Sequence, residues 1–89
     1  MNNTYKIYLI SDSTGETLER IFFAIKAQFK NIEYKVLSYS FTRTENQIDK
    51  IISEVITDPN SIILYTIVDN SLAKYLANVS SDKKIPCFG

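Results

Sequence analysis

The 89-residue sequence contains no histidine, no tryptophan, one cysteine, and glycine only at positions 15 and 89. Without histidine, a Ser-His-Asp triad and a His-ligated zinc site are both excluded. The single cysteine, Cys87, excludes a four-cysteine metal site and an internal disulfide, and it fits a reducing cytoplasm. Two glycines so far apart make neither a Walker-type phosphate loop nor a Gly-x-Gly-x-x-Gly turn. An excess of one charge is also missing. Ten acidic residues balance ten basic ones, so no global field attracts nucleic acid or an anionic membrane. The apolar runs fall far short of the roughly 20 residues that span a bilayer, and the N-terminus has no basic-then-apolar secretory signal. These absences predict a cytoplasmic protein with no nucleic-acid or membrane partner.

What is present is a 45% apolar chain, enough for a globular core. Its length allows one domain over 1–89, which buries only about 60–65% of its unfolded surface. The near-continuous apolar stretch Tyr5-Lys6-Ile7-Tyr8-Leu9-Ile10 predicts a central strand covered on both faces. A helix over 16–29 follows, with Leu18, Ile21, Phe22, Ile25 and Phe29 on one face and Glu16 four residues before Arg20 on the other. The segment 33–41 alternates more and reads as an edge strand. Thr44-Glu45-Asn46-Gln47 is a capping box, opening a helix whose stripe is Ile48, Ile51, Ile52, Val55 and Ile56 and which Asp58-Pro59-Asn60 stops. The run 62–68 is the most hydrophobic. Asp69 or Asn70 then caps a third helix carried by Leu72, Tyr75, Leu76 and Val79, and Ile85-Pro86-Cys87-Phe88 begins a fourth strand.

The order β-α-β-α-β-α-β implies an α/β fold: an open parallel sheet with helices on both faces, strand order 2-1-3-4, half of a Rossmann- or flavodoxin-like domain. A last strand this short leaves a sheet edge open, so the expectation is a piece of something longer or an edge that meets a partner.

Ser11-Asp12-Ser13-Thr14-Gly15-Glu16-Thr17 joins the first strand to the first helix. A helix start has unpaired N–H groups and a favourable dipole for an anion; Ser13, Thr14 and Thr17 add hydroxyl donors, and Gly15 permits close approach. The competing reading is an ordinary capped helix, with Ser13 as cap and Glu16 as its reciprocal partner. In an open α/β sheet the ligand crevice lies where the strand order reverses, here between the first and third strands. The 11–17 turn, Thr42-Arg43-Thr44 and Asp69-Asn70-Ser71 all leave strands at that edge. Arg43 can clamp a phosphate in a bidentate manner, and Tyr65 lies near enough to reach the crevice. Each member also has a plainer role: Thr44 and Asp69 as caps, Arg43 as a solvated cation, Asp12 as an acceptor for turn amides, Cys87 as a buried inert thiol.

Two resemblances follow. Ser13-Thr14-Gly15-Glu16-Thr17 looks like the Thr-Gly-x-Thr phosphate loop of flavodoxins, but 89 residues leave no room for the later loops that hold a flavin. A fuller match runs through Ile10-Ser11-Asp12-Ser13-Thr14-Gly15-Glu16-Thr17, Ala27-Gln28-Phe29, Phe41-Thr42-Arg43-Thr44, Ile63-Leu64-Tyr65-Thr66-Ile67-Val68-Asp69 and Ile85-Pro86-Cys87. In order and spacing these blocks resemble the N-terminal part of the bacterial pyruvate, phosphate dikinase / phosphoenolpyruvate synthase regulatory proteins.

The resemblance implies a bifunctional serine/threonine kinase and phosphorylase. It implies ADP as phosphoryl donor to a threonine of the dikinase or synthase, reversal by inorganic phosphate with release of pyrophosphate, and Mg²⁺ in a complete member. On this reading Ser11, Ser13, Thr14, Gly15, Glu16, Thr17 and Arg43 bind phosphate or a phosphothreonine, Asp12 orients a hydroxyl or accepts its proton, and Thr44, Tyr65 and Asp69 border the crevice. The nucleotide P-loop of that family falls downstream of the matched blocks and is not in these 89 residues, so no kinase activity is expected of this polypeptide alone. The alternative is a non-catalytic module that docks the target enzyme or forms a homodimer through its open edge.

Overall fold

Strand β1 (Thr4–Ser11) sits in the middle of the sheet because both of its faces are apolar. Ile7 and Leu9 point to one side and Tyr8 and Ile10 to the other, the two-residue period of a strand, and all four are buried. The computed structural model describes residues 4–28 and 33–89. After β1 come helix α1 (Glu16–Ile25), a 3₁₀ turn (Lys26–Gln28), strand β2 (Glu33–Tyr39), helix α2 (Glu45–Val55), strand β3 (Ser61–Thr66), helix α3 (Asn70–Asp82) and strand β4 (Cys87–Phe88). All strands pair in parallel in the order β2-β1-β3-β4, as the alternation of elements predicts.

Helix α1 covers Ile7 and Leu9 with Leu18 and Phe22. On the other side α2 and α3 cover Tyr8, Ile10 and Ile63 with Ile48, Ile51, Ile52, Val55, Leu72 and Leu76. Thr44 caps α2 as expected: its side chain accepts from the Gln47 N–H while the Gln47 side chain reaches back to the cap, the reciprocal box. Behind α2, buried Ser61 donates to the carbonyls of Val55 and Asp58 at 3.2 and 2.9 Å, joining the helix end to β3.

Several expected boundaries move. The α-helical part of α1 ends at Ile25, and Phe29 lies outside the described residues. Ile21 and Ile25 are 46% and 37% exposed rather than buried. Among the described residues no second helix shares that face, so an apolar stripe wider than the Leu18–Phe22 row has nothing to pack against. Glu16 and Arg20 do not close into an ion pair; the pair present among the described residues is Lys6–Asp58 at 3.8 Å.

Strand β2 stops two residues early because Phe41 takes a left-handed conformation (φ 55), which costs an L-residue about 1–2 kcal/mol and turns the chain out of the sheet. Strand β3 ends at Thr66, leaving Val68 exposed where the chain bends toward α3.

Candidate functional site at the switch point

Ser11 ends β1 opposite Thr66, the last residue of β3. It is buried, and its Oγ accepts the Ser13 N–H at 3.1 Å and the Thr66 hydroxyl at 3.4 Å. Asp12 bridges the same two strands. Its N–H donates to the Thr66 carbonyl at 3.3 Å, and its Oδ2 accepts the Val68 N–H at 2.8 Å. The Asp12 carboxylate therefore accepts an amide, as its plainer reading expects, but the amide comes from the exit of β3 and not from its own turn.

The ordinary-cap reading of the turn is overturned. The residue before α1 is Gly15, at φ 84 and ψ 2, and no side chain caps the helix. A Ser13 cap requires the helix to begin at Thr14, but the left-handed step at Gly15 delays it. Ser13 turns instead toward Ser11, with the two Oγ atoms 3.2 Å apart. Thr14 Oγ1 meets only the Glu16 N–H, at the long distance of 3.5 Å. The first turn of α1 thus keeps backbone donors for an outside acceptor. Glu16 and Glu19 stand in that turn and oppose an anion there, which makes a nearby cation important.

Arg43 is that cation. The loop from β2 to α2 is laced onto the 11–17 turn by four hydrogen bonds. The Ser40 hydroxyl donates to the Thr14 carbonyl at 2.9 Å, the Phe41 N–H to Ser13 O at 2.9 Å, and the Thr42 N–H to Ser11 O at 2.8 Å. The fourth runs from Arg43 Nε to the Asp12 carbonyl at 2.9 Å. Thr42 is buried beneath this lacing, whereas Arg43 stays exposed with its guanidinium 5.2 Å from the Phe41 ring centre. Gln47 closes the loop from the other side: its Oε1 accepts the N–H groups of Arg43 and Thr44 at 2.7 and 3.1 Å, and its Nε2 donates to the Phe41 carbonyl at 3.3 Å.

The structure therefore brings Ser11, Asp12, Ser13, Thr14 and Arg43 into one hydrogen-bonded cluster at the reversal of strand order, with Gly15, Glu16 and Thr17 opening the helix beside it. Thr44 serves as the cap of α2. Asp69 caps α3 through Oδ1, which accepts the Leu72 N–H at 3.1 Å. Tyr65 is placed differently from the expectation: it packs with the α2/α3 core, and its phenol lies beside Gly89. Cys87 is half-buried, and burial pushes its thiol pKa up. Among the described residues no group of three or more Asp, Glu or Cys side chains stands ready for a metal ion. Sequence reasoning missed Ser40, Phe41 and Gln47 as members of the site. Gln47 was visible only as a cap partner, and nothing in its position signals the second clamp.

The sequence signature described as kinase/pyrophosphorylase matches residues 7–89. A protein of Pelagibacter ubique (strain HTCC1062), provisionally named a pyruvate, phosphate dikinase regulatory protein, is 72% identical over 88 residues, covering 99% of this chain and 32% of its own length. A Geotalea uraniireducens (strain Rf4) protein with the same provisional name is 42% identical over 80 residues, 90% of this chain and 29% of its own. One from Ehrlichia chaffeensis (strain ATCC CRL-10679 / Arkansas), again so named, is 36% identical over 84 residues, 94% of this chain and 31% of its own. The chain thus spans about a third of the length of the curated relatives it matches.

Proposed function

The chain belongs to the kinase/pyrophosphorylase family, and from that premise we propose that its 11–17 turn and Arg43 hold a phosphate group in the regulation of pyruvate, phosphate dikinase or phosphoenolpyruvate synthase. The full reaction pair on this reading is phosphorylation of a target threonine with ADP as donor, and its removal by inorganic phosphate to give pyrophosphate. Each direction places a phosphoryl group between two oxygens, so positioning and charge neutralisation carry the catalysis. The bound group here is the phosphothreonine or the free phosphate.

The observation that carries this reading is the Arg43 Nε–Asp12 O hydrogen bond. It fixes the one cation of the β2–α2 loop onto the turn whose helix start is uncapped. The guanidinium still has its two terminal amino groups for a phosphate, as a bidentate partner. Asp12, already bound to Val68 N–H through Oδ2, keeps Oδ1 for orienting a hydroxyl or taking its proton. ADP and Mg²⁺ do not fit the residues described: there is no glycine-lysine loop and no carboxylate cluster. A polypeptide of these 89 residues is expected not to phosphorylate the dikinase.

Titration with inorganic phosphate, followed by amide NMR, tests the site. Shifts confined to 13–17 and Arg43 at millimolar phosphate are expected, and Arg43→Ala should weaken binding about tenfold or more. Unmoved signals at those positions overturn the reading. A docking or dimerisation role has one observation in its favour, the exposed apolar side chains Phe23 and Val36, which line one shallow hollow on the α1 side. Sedimentation of the purified chain, alone and with the dikinase, measures it.

A further inference from the structure

Phe41 is an anomaly of this loop. Its backbone is left-handed (φ 55), a conformation suited to glycine or asparagine, and its ring is 51% exposed. Backbone preference does not explain an aromatic residue there. The loop nevertheless holds it firmly, since its N–H donates to Ser13 O and its carbonyl accepts from Gln47 Nε2. The guanidinium of Arg43 lies 5.2 Å from the centre of this ring.

We propose that Phe41 is a positioning residue: its ring sets the plane of the Arg43 guanidinium, so that both terminal amino groups meet a phosphate held at the 11–17 turn. Arginine has a long side chain with many rotamers, and one hydrogen bond through Nε leaves the plane free to swing about that contact. An aromatic ring 5.2 Å away narrows that remaining freedom through a cation–π attraction. The left-handed backbone is what carries the ring under Arg43, because an extended residue at position 41 would continue β2 instead. The phosphate half of this inference rests on the function proposed above; the orientation of Arg43 does not.

Two variants and two readouts separate these parts. Phe41→Gly suits the left-handed backbone and removes the ring, whereas Phe41→Trp keeps an aromatic face. The Arg43 Nε–H signal in phosphate-free protein is expected to be sharp and slow to exchange with solvent in the wild type and in Phe41→Trp, and broadened or lost in Phe41→Gly. Phosphate affinity, read by titration, is expected to fall about two- to fivefold in Phe41→Gly and to be retained in Phe41→Trp. Thermal stability of Phe41→Gly should be equal to or above the wild type, which separates the effect from unfolding. An Arg43 Nε–H signal unchanged in Phe41→Gly overturns the positioning role. If that signal is lost as expected while the wild type binds no phosphate, the positioning role stands and the phosphate reading falls.

Discussion

On the side of the sheet covered by α2 and α3, nine side chains lie buried in one continuous cluster, reinforced by partly buried Leu37, Tyr39, Ile67 and Val79. On the α1 side, among the described residues, the buried cluster has four members, Ile7, Leu9, Leu18 and Phe22, with Tyr34 and Leu64 against it. The α1 side also leaves Phe23 67% exposed, with the Lys26 ammonium 3.6 Å from its ring centre. The candidate site joins the two sides. Arg43 and Gln47 come from the α2 side, where the frame is deeply packed, and the 11–17 turn leads into the thinly held α1. The cation is therefore the fixed half of the site and the helix start the adjustable half. Local opening should therefore begin at α1, where few apolar contacts oppose it.

Core truncation should separate the two sides by the widest margin. Leu76 is fully buried between α3 and the sheet, and Leu76→Ala should cost about 2–5 kcal/mol in urea unfolding. Phe23→Ser on the α1 side should change stability by no more than about 0.5 kcal/mol. Comparable losses from both would show that α1 is held as firmly as α3 and would end the distinction drawn between the two halves of the site.

A smaller effect separates the two helix starts. A Cβ at Gly15 would meet only Ser40 Oγ at 3.4 Å and Ser11 Cβ at 3.8 Å, so space is not the obstacle to Gly15→Ala. The obstacle is φ 84, and about 1–2 kcal/mol should be lost through strain. Thr44→Ala should cost about 1 kcal/mol by removing the side-chain acceptor of the Gln47 N–H. Hydrogen exchange distinguishes them: Gly15→Ala should speed exchange in α1 and leave α2 unchanged, and Thr44→Ala the reverse. Equal acceleration in both helices from either variant would mean the lacing at residues 40–43 couples the two starts.

The architecture was legible because the signals were local and repeated. Apolar β1 and β3, the Thr44 box and the Asp58-Pro59-Asn60 stop each mark an element without reference to any other. The convergence of the 11–17 turn, Arg43 and Asp69 at one edge then follows from strand order alone. What escaped depended on partners distant in sequence. Ser13 looks like a cap until Ser11 and Phe41 claim it, and Ile21 and Ile25 look buried until it is known that no second helix among the described residues covers that side. Phe41 reads as the end of a strand, since no pattern announces a left-handed aromatic residue. Tyr65 alternates correctly along β3, but alternation does not say that its ring packs with the α2/α3 core and its phenol meets Gly89 instead of the crevice.

The smallest expected effect is a dependence on alkaline pH, and it belongs to one side only. Tyr39 stacks on Tyr8 at 6.1 Å and donates to Glu54; burial, and next that bond to the carboxylate, push its pKa from 10.0 to about 12. Tyr75 donates to Asp49 at 2.5 Å, and that bond is the main reason its pKa also rises to about 12. Both raised values favour the protonated phenol in the folded state. The stabilisation is therefore complete below pH 10 and is lost as the pH climbs from about 10 through 12. Both phenols contact α2, so alkaline pH should weaken the deeply packed side and leave the α1 side less affected. The gap in exchange rates between α2 and α1 should narrow as the phenols ionise. In Tyr39→Phe/Tyr75→Phe no phenol remains to ionise at either position, and the gap should stay nearly constant over the same range. A gap that narrows equally in the double variant would trace the alkaline loss to groups outside this pair, and the difference between the two sides would then rest on apolar packing alone.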